Sequence, residues 1–172
     1  MKKIFERRWQ IERPGTQGNK LYISAEVVQT IGEDALEGHL LKDYQFDLTD
    51  GENYVPQIRD VQEFLQQDMV DRMLYAAEGF DCDDFAIVLW GHAKEQCYKD
   101  GLKRAAWPFG VVEGYLPHPH KINWVITQDP LLGGLPPTPA KLSGGPYFYF
   151  IEPQTDEIYV PGPTDYVWKI EA

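Results

Sequence analysis

Cysteine is nearly missing: the 172 residues hold two, Cys82 and Cys97. That is too few for a disulfide framework or a cysteine-based zinc site. If one helix runs through both, fifteen residues at ~1.5 Å each place them about 22 Å apart, beyond the reach of a mutual disulfide. Two free thiols suit a reducing compartment. Long apolar runs are missing as well. None approaches the roughly 20 residues a membrane helix needs, and Met1 to Gln10 is charged where a signal peptide requires an apolar stretch. The expectation is a soluble, cytoplasmic protein with no membrane partner. Basic residues are scarce too, with 16 Lys and Arg against 27 Asp and Glu and a net charge of −11. Such a field repels a phosphate backbone, so nucleic acid is excluded as a main partner.

What is present is enough to build a core. Apolar residues make up 43% and aromatic residues 13%, consistent with one domain over residues 1–172. The charge is unevenly spread. Residues 1–20 carry six Lys and Arg against two acids, whereas sixteen acids and only three bases lie between Glu26 and Asp84.

The first 53 residues mix short apolar pieces with glycines, giving a weakly assignable N-terminal extension ahead of a core over residues 54–172. From Gln57 onward, Val61, Phe64, Leu65, Met69, Met73, Ala76 and Ala77 recur at three- and four-residue intervals. This spacing predicts an amphipathic helix ended by Gly79. Asp81 reads as the N-cap of a second helix, with Asp83 and Asp84 in its first turn and Phe85, Ala86, Leu89 and Ala93 as its apolar stripe. After Gly101 the runs become aromatic and β-branched: 109–115, 122–127, 147–151, 157–160 and 166–170. Helices first and strands afterwards predict an α+β fold with N-terminal helices packed on an antiparallel sheet. Gln128 to Pro146, with five prolines and four glycines, is too long for an ordinary turn.

Three residues could carry chemistry. Cys82 opens a helix, where unpaired N–H groups and the dipole favour a thiolate and can hold an oxyanion, although the adjoining aspartates oppose a second negative charge. As a base, His92 lies about 15 Å along the axis from Cys82 and is excluded, and His39 reads as a surface residue. His118 and His120 precede a strand and share a face by alternation, as a solvated pair or a two-histidine metal site. Glu152 follows a buried aromatic run and could orient an imidazole on the neighbouring strand, or stand in water.

These residues carry a resemblance. Asp81-Cys82-Asp83-Asp84-Phe85-Ala86 resembles the signature that opens the nucleophile helix of transglutaminase-like and other papain-superfold proteins. His120-Lys121-Ile122-Asn123 with Ile151-Glu152-Pro153-Gln154 is similar to the pattern of a papain-like agglutinin C-terminal protease domain and its stand-alone bacterial and phage relatives. The resemblance covers about Tyr54 to Tyr159. It implies a papain-like (cysteine proteinase) fold in which Cys82 is the nucleophile, His120 the general base and later acid, and Glu152 the orienter. Asn123 is an alternative third member, but alternation turns it to the opposite face. The agglutinin domain depends on calcium, so the resemblance raises calcium as cofactor, with Asp81, Asp83 and Asp84 as ligands; helix-capping aspartates on a solvated face are the other reading.

The function expected on these grounds is a papain-like cysteine hydrolase, a thiol protease or amidase acting on a peptide or protein substrate. The alternative is a catalytically degraded phage-related accessory or binding protein of the same fold. Trp124, Tyr147, Phe148, Tyr149 and the proline-rich loop would then form a partner surface.

Overall fold

A computed structural model describes residues 20–76, 79–102, 105–116, 118–131 and 146–172. The centre of the proline-rich stretch therefore lies outside the described residues, as does the basic segment before Lys20. The elements follow in the order β1 (Leu21–Ser24), α1 (Ala25–Ala35), β2 (Leu40–Asp47), β3 (Glu52–Val55), α2 (Ile58–Gln67), α3 (Cys82–Lys99), β4 (Phe109–Tyr115), β5 (Pro119–Thr127), β6 (Tyr147–Glu152), β7 (Glu157–Tyr159) and β8 (Tyr166–Glu171). A single 3-10 turn, Val70–Arg72, sits between α2 and α3.

The principal sheet has six strands in the order β2-β8-β4-β5-β6-β7. All its pairings are antiparallel except β2 with β8, which is parallel. β1 and β3 form a separate two-stranded antiparallel ribbon. Both faces of the large sheet are covered. On one side α1 delivers Val28 and Ile31 onto Val112, Ile122, Trp124, Ile126, Phe148 and Phe150. On the other, α2 and α3 bring Val61, Leu65, Phe85 and Leu89 onto Phe109, Val125, Tyr149 and Ile151. Consecutive residues of β5 and β6 alternate between the two cores, as the two-residue period of a strand requires.

The expected fold is corrected here. The papain-like arrangement of N-terminal helices on an antiparallel sheet is replaced, among the described residues, by a leading strand, a mixed six-stranded sheet and helices on both of its faces. Residues 21–55 are woven into both sheets: β1 pairs with β3, and β2 holds one edge of the large sheet against β8. A close approach permits the second docking. A Cβ on Gly32 of α1 would lie 2.8 Å from Phe46 Cε2, so the absent side chain admits the β2 ring beside the helix.

The first predicted helix is shorter than its periodicity suggests. α2 stops at Gln67 because Asp68 turns to extended backbone (φ −67°, ψ 156°) and its carboxylate accepts from Val70 N–H at 2.8 Å. A side chain that serves its own backbone in this way competes with helix continuation. Met69 and Met73, read as core positions, are exposed as a result. α3 begins as expected, with a capping box in which Asp84 Oδ2 accepts from Asp81 N–H at 3.1 Å and the Asp81 side chain accepts from the Asp84 N–H; Asp81 Oδ1 also accepts from Asp83 N–H at 3.4 Å. Phe85, Ala86, Leu89, Ala93 and Cys97 form its buried stripe.

The aromatic partner surface is also corrected. Trp124, Phe148 and Tyr149 are buried, because a sheet covered on both faces hides every residue of an aromatic run rather than every second one.

Candidate functional site

The N-terminus of α3 and the start of β5 lie at the same end of the molecule. Asn123 of β5 fixes this alignment: its Nδ2 donates to Ala86 O at 2.8 Å, one helical turn beyond Cys82, and to Gly110 O of β4 at 3.1 Å. Nearer the start of β5, Lys121 acts electrostatically on Asp83 in the first turn of α3. The start of α3 thus meets the Lys121–Asn123 stretch of β5, the strand that also carries His120.

His120 and Glu152 are joined directly. His120 Nε2 lies 2.8 Å from Glu152 Oε2, with side chains only 10% and 20% exposed. Pairing in a place that excludes most water strengthens such a contact. The other carboxylate oxygen, Oε1, accepts from Gln154 N–H at 3.2 Å, so the turn after β6 fixes the carboxylate's orientation. The His118 ring stacks on that of His120 at 5.2 Å between centroids, as their alternate spacing leads one to expect. Nδ1 is the His120 nitrogen left uncommitted to the carboxylate. Cys82 is half-buried and free. Among the described residues, no hydrogen bond joins its Sγ to His120 or Glu152.

The aspartates beside Cys82 converge. Asp81, Asp83 and Asp84 each offer a carboxylate oxygen within 4.8 Å of the others. Crowding shows in the titration of Asp83, whose carboxyl is pushed above the ordinary carboxylate range, chiefly by its hydrogen bond with Asp81, then by burial and by the Asp81 charge, with Lys121 opposing. A divalent cation would relieve that repulsion, and oxygen donors of this kind suit calcium. The sequence reading missed Lys121 and the anchoring role of Asn123. The signal was there: both are odd-numbered positions of β5, sharing the face that Val125 turns toward α2 and α3.

A second concave feature lies away from Cys82. A cleft of about 640 Å³ runs between α2, the C-terminal half of α3 and the segment around Trp107, with Lys20 at its margin. Tyr54, Phe64, Leu102 and Trp107 supply its apolar lining, and Asp60, Glu63, Asp68, Glu95 and Asp100 supply carboxylates.

No family model and no curated protein matches the chain. Solved structures do. One, the PSL1a–E64 complex, has a TM-score of 0.68 and 17% identity; it covers 88% of this chain and 50% of the other. A second, Polyporus squamosus lectin bound to the human-type influenza-binding epitope Neu5Acα2-6Galβ1-4GlcNAc, has a TM-score of 0.64, 19% identity and the same coverages. The fold is shared with half of a lectin chain. This chain spans about half the length of the chains it matches.

That likeness corrects the functional expectation. One of these structures carries the name of a lectin, and neither carries that of a papain-like cysteine peptidase. The protease-family resemblance, the cysteine-hydrolase and thiol-protease reading, the peptide or protein substrate and the phage-type accessory alternative give way together. They rested on short motifs around Cys82, His120 and Glu152, and short motifs describe a corner of a fold rather than the whole. No helix of the described residues is long and apolar enough to cross a membrane.

Proposed function

We propose that the chain is a single saccharide-binding domain. The observation that carries this reading is a fold likeness spanning 88% of the chain to solved structures, one of them described as a lectin holding a glycan. The composition of the molecule supports it. Sugar hydroxyls donate to carboxylates and amides, and sugar C–H faces pack on aromatic rings; a chain with 27 acids and 13% aromatic residues is well supplied with both. Two unpaired thiols support placing the protein in the cytoplasm. The test is a glycan array probed with the full chain, followed by titration calorimetry on the hits. Saturable binding that free sugar reverses is expected, and the absence of any such hit overturns the reading.

A second reading concerns Cys82, His120 and Glu152 and is favoured by the 2.8 Å His120–Glu152 contact. In this proposal the carboxylate holds the imidazole, the imidazole takes the Cys82 thiol proton, and Asp81, Asp83 and Asp84 hold a calcium ion that offsets their charge beside the thiolate. The proposed chemistry is thiol nucleophilicity. Iodoacetamide labelling of Cys82 would then accelerate when calcium is added and fall in His120→Ala. Labelling indifferent to both changes rejects it.

A further inference from the structure

The start of β5 presents two imidazoles side by side. Alternation puts His118 and His120 on one face, and Pro119 between them disfavours helical backbone at His118, so the alternation is kept. Their ring centres are 5.2 Å apart, with planes 29° from parallel. His118 is exposed, and among the described residues no hydrogen bond holds its ring. His120 stands opposite Gly114 in the β4–β5 register, a partner with no side chain.

His120 is already arranged as a metal ligand. A carboxylate only accepts, so the 2.8 Å contact of Nε2 with Glu152 Oε2 puts the ring proton on Nε2 and leaves a lone pair on Nδ1. Gln154 N–H holds the other oxygen of that carboxylate at 3.2 Å. Ligating histidines carry an outer partner of this kind, because it fixes the orientation of the ring and raises its basicity. Among the described residues Nδ1 has no partner, yet it is not one of the buried unpaired atoms. It therefore opens to solvent.

We infer that His118 and His120 form a chelating pair for zinc, with Glu152 as the outer partner of His120 and water completing the coordination. An imidazole bound at ~2.1 Å holds its ring centre about 3.2 Å from the ion, so two such ligands at the tetrahedral angle have centres about 5 Å apart. That separation is present before any ion arrives. Turning the exposed His118 ring about its side-chain torsions brings one of its nitrogens to face the ion. Calcium and magnesium are of the wrong class, since they select oxygen donors, whereas imidazole suits zinc and its neighbours. An anion would meet Glu152 and a net charge of −11, a field that draws cations instead. The pair is separate from Asp81, Asp83 and Asp84, whose oxygens suit calcium, and it stands independently of the saccharide-binding reading.

The probe is zinc ion, titrated into the metal-free full chain at neutral pH by calorimetry while the imidazole C–H resonances are followed by NMR. His118→Gln identifies the His118 signals by their loss, and its exposed position leaves the fold intact. The expected result is one ion per chain, with saturable shifts of the His118 signals. Affinity should fall about tenfold or more in His118→Gln, and about tenfold in Glu152→Gln, the cost of weakening an outer partner. Excess calcium should leave the zinc in place. Zinc bound equally well by His118→Gln, or displaced by calcium, sits on other groups and overturns the site, as does a chain that binds no zinc. Unchanged affinity in Glu152→Gln overturns the outer-partner assignment. Glycan binding is read separately on the array, so neither result decides the other.

Discussion

Asn123 and Ala86 are joined by a 2.8 Å hydrogen bond that ties the first turns of α3 to the middle of β5. The same amide donates to Gly110 O, so one buried side chain links the helix to two strands. Asn123→Ala removes both donors and leaves two buried carbonyls short of a partner, for an expected loss of about 2–3 kcal/mol in urea unfolding. Asn123→Asp should cost more, since it places a carboxylate against those carbonyls. Equal stability of the alanine variant and the parent would show that the bond does not anchor α3.

Cys82 and Cys97 should differ sharply toward alkylation. Cys97 is 2% exposed and its thiol is pushed up to about 11, mainly by burial, whereas Cys82 is half-buried at a helix start. The thiolate is the reacting species. Mass spectrometry after brief iodoacetamide treatment at neutral pH should find one modification, on Cys82, and two only after unfolding. Comparable labelling of both residues in the folded chain would contradict the burial of Cys97.

Asp156 should make stability depend on pH. It sits in the turn between β6 and β7 with φ +59°, and its pKa is raised to about 6, first by burial and then by the charges of Asp71 and Asp68, with Arg72 opposing. A carboxyl raised above its unfolded value near 3.9 binds its proton more tightly in the folded state. Its contribution is therefore complete below about pH 4 and is lost as pH rises through about 6. Asp156→Asn keeps a residue tolerant of positive φ and removes the charge. The variant should melt higher than the parent at pH 7.5 and show no such advantage at pH 4. A constant difference in Tm across that range would exclude the ionisation as its cause.

The sequence disclosed some of these elements and hid others for physical reasons. β4 to β8 are legible because runs such as Tyr147-Phe148-Tyr149-Phe150-Ile151 have few conformations other than a buried strand. α3 is legible because Asp81 and Asp84 write its capping box into the chain. β2 is not, since Leu-Leu-Lys-Asp-Tyr-Gln-Phe-Asp forms a half-exposed edge whose pattern of burial depends on α1 and β8. α1 is obscured by Gly32, whose purpose, to admit Phe46, exists only in three dimensions. At the candidate site, the His120–Glu152 contact follows from two residues on neighbouring strands, whereas the place of Lys121 beside Asp83 depends on how α3 crosses the sheet. The acidic cleft is written in the chain only as two helical faces, Asp60, Glu63, Phe64 and Gln67 on α2 and His92, Glu95, Gln96 and Lys99 on α3, each at three- and four-residue spacing. That the two faces meet depends on how α2 and α3 pack.

Gly110 tests the packing of β4 against β8. A Cβ built there would lie 1.8 Å from Glu171 O and 2.8 Å from Glu171 C, both backbone atoms that cannot swing aside. The neighbouring bonds are exacting: Val111 pairs with Glu171 in the antiparallel register, Gly110 O accepts from Asn123 Nδ2, and Glu171 O accepts from Trp124 Nε1 at 3.1 Å. Gly110→Ala must therefore separate the two strands or break the bonds that fix Asn123 and Trp124. Overpacking of this kind costs roughly 1–3 kcal/mol where side chains can yield, and backbone contact places this case at the upper end or beyond. By contrast, Gly91→Ala in α3 meets nothing within 4 Å and should be neutral or stabilising by up to about 1 kcal/mol, because alanine is the better helix former. Thermal unfolding of the two variants side by side should show opposite shifts in Tm. A Gly110→Ala protein as stable as its parent would mean that β4 and β8 are not in the register described.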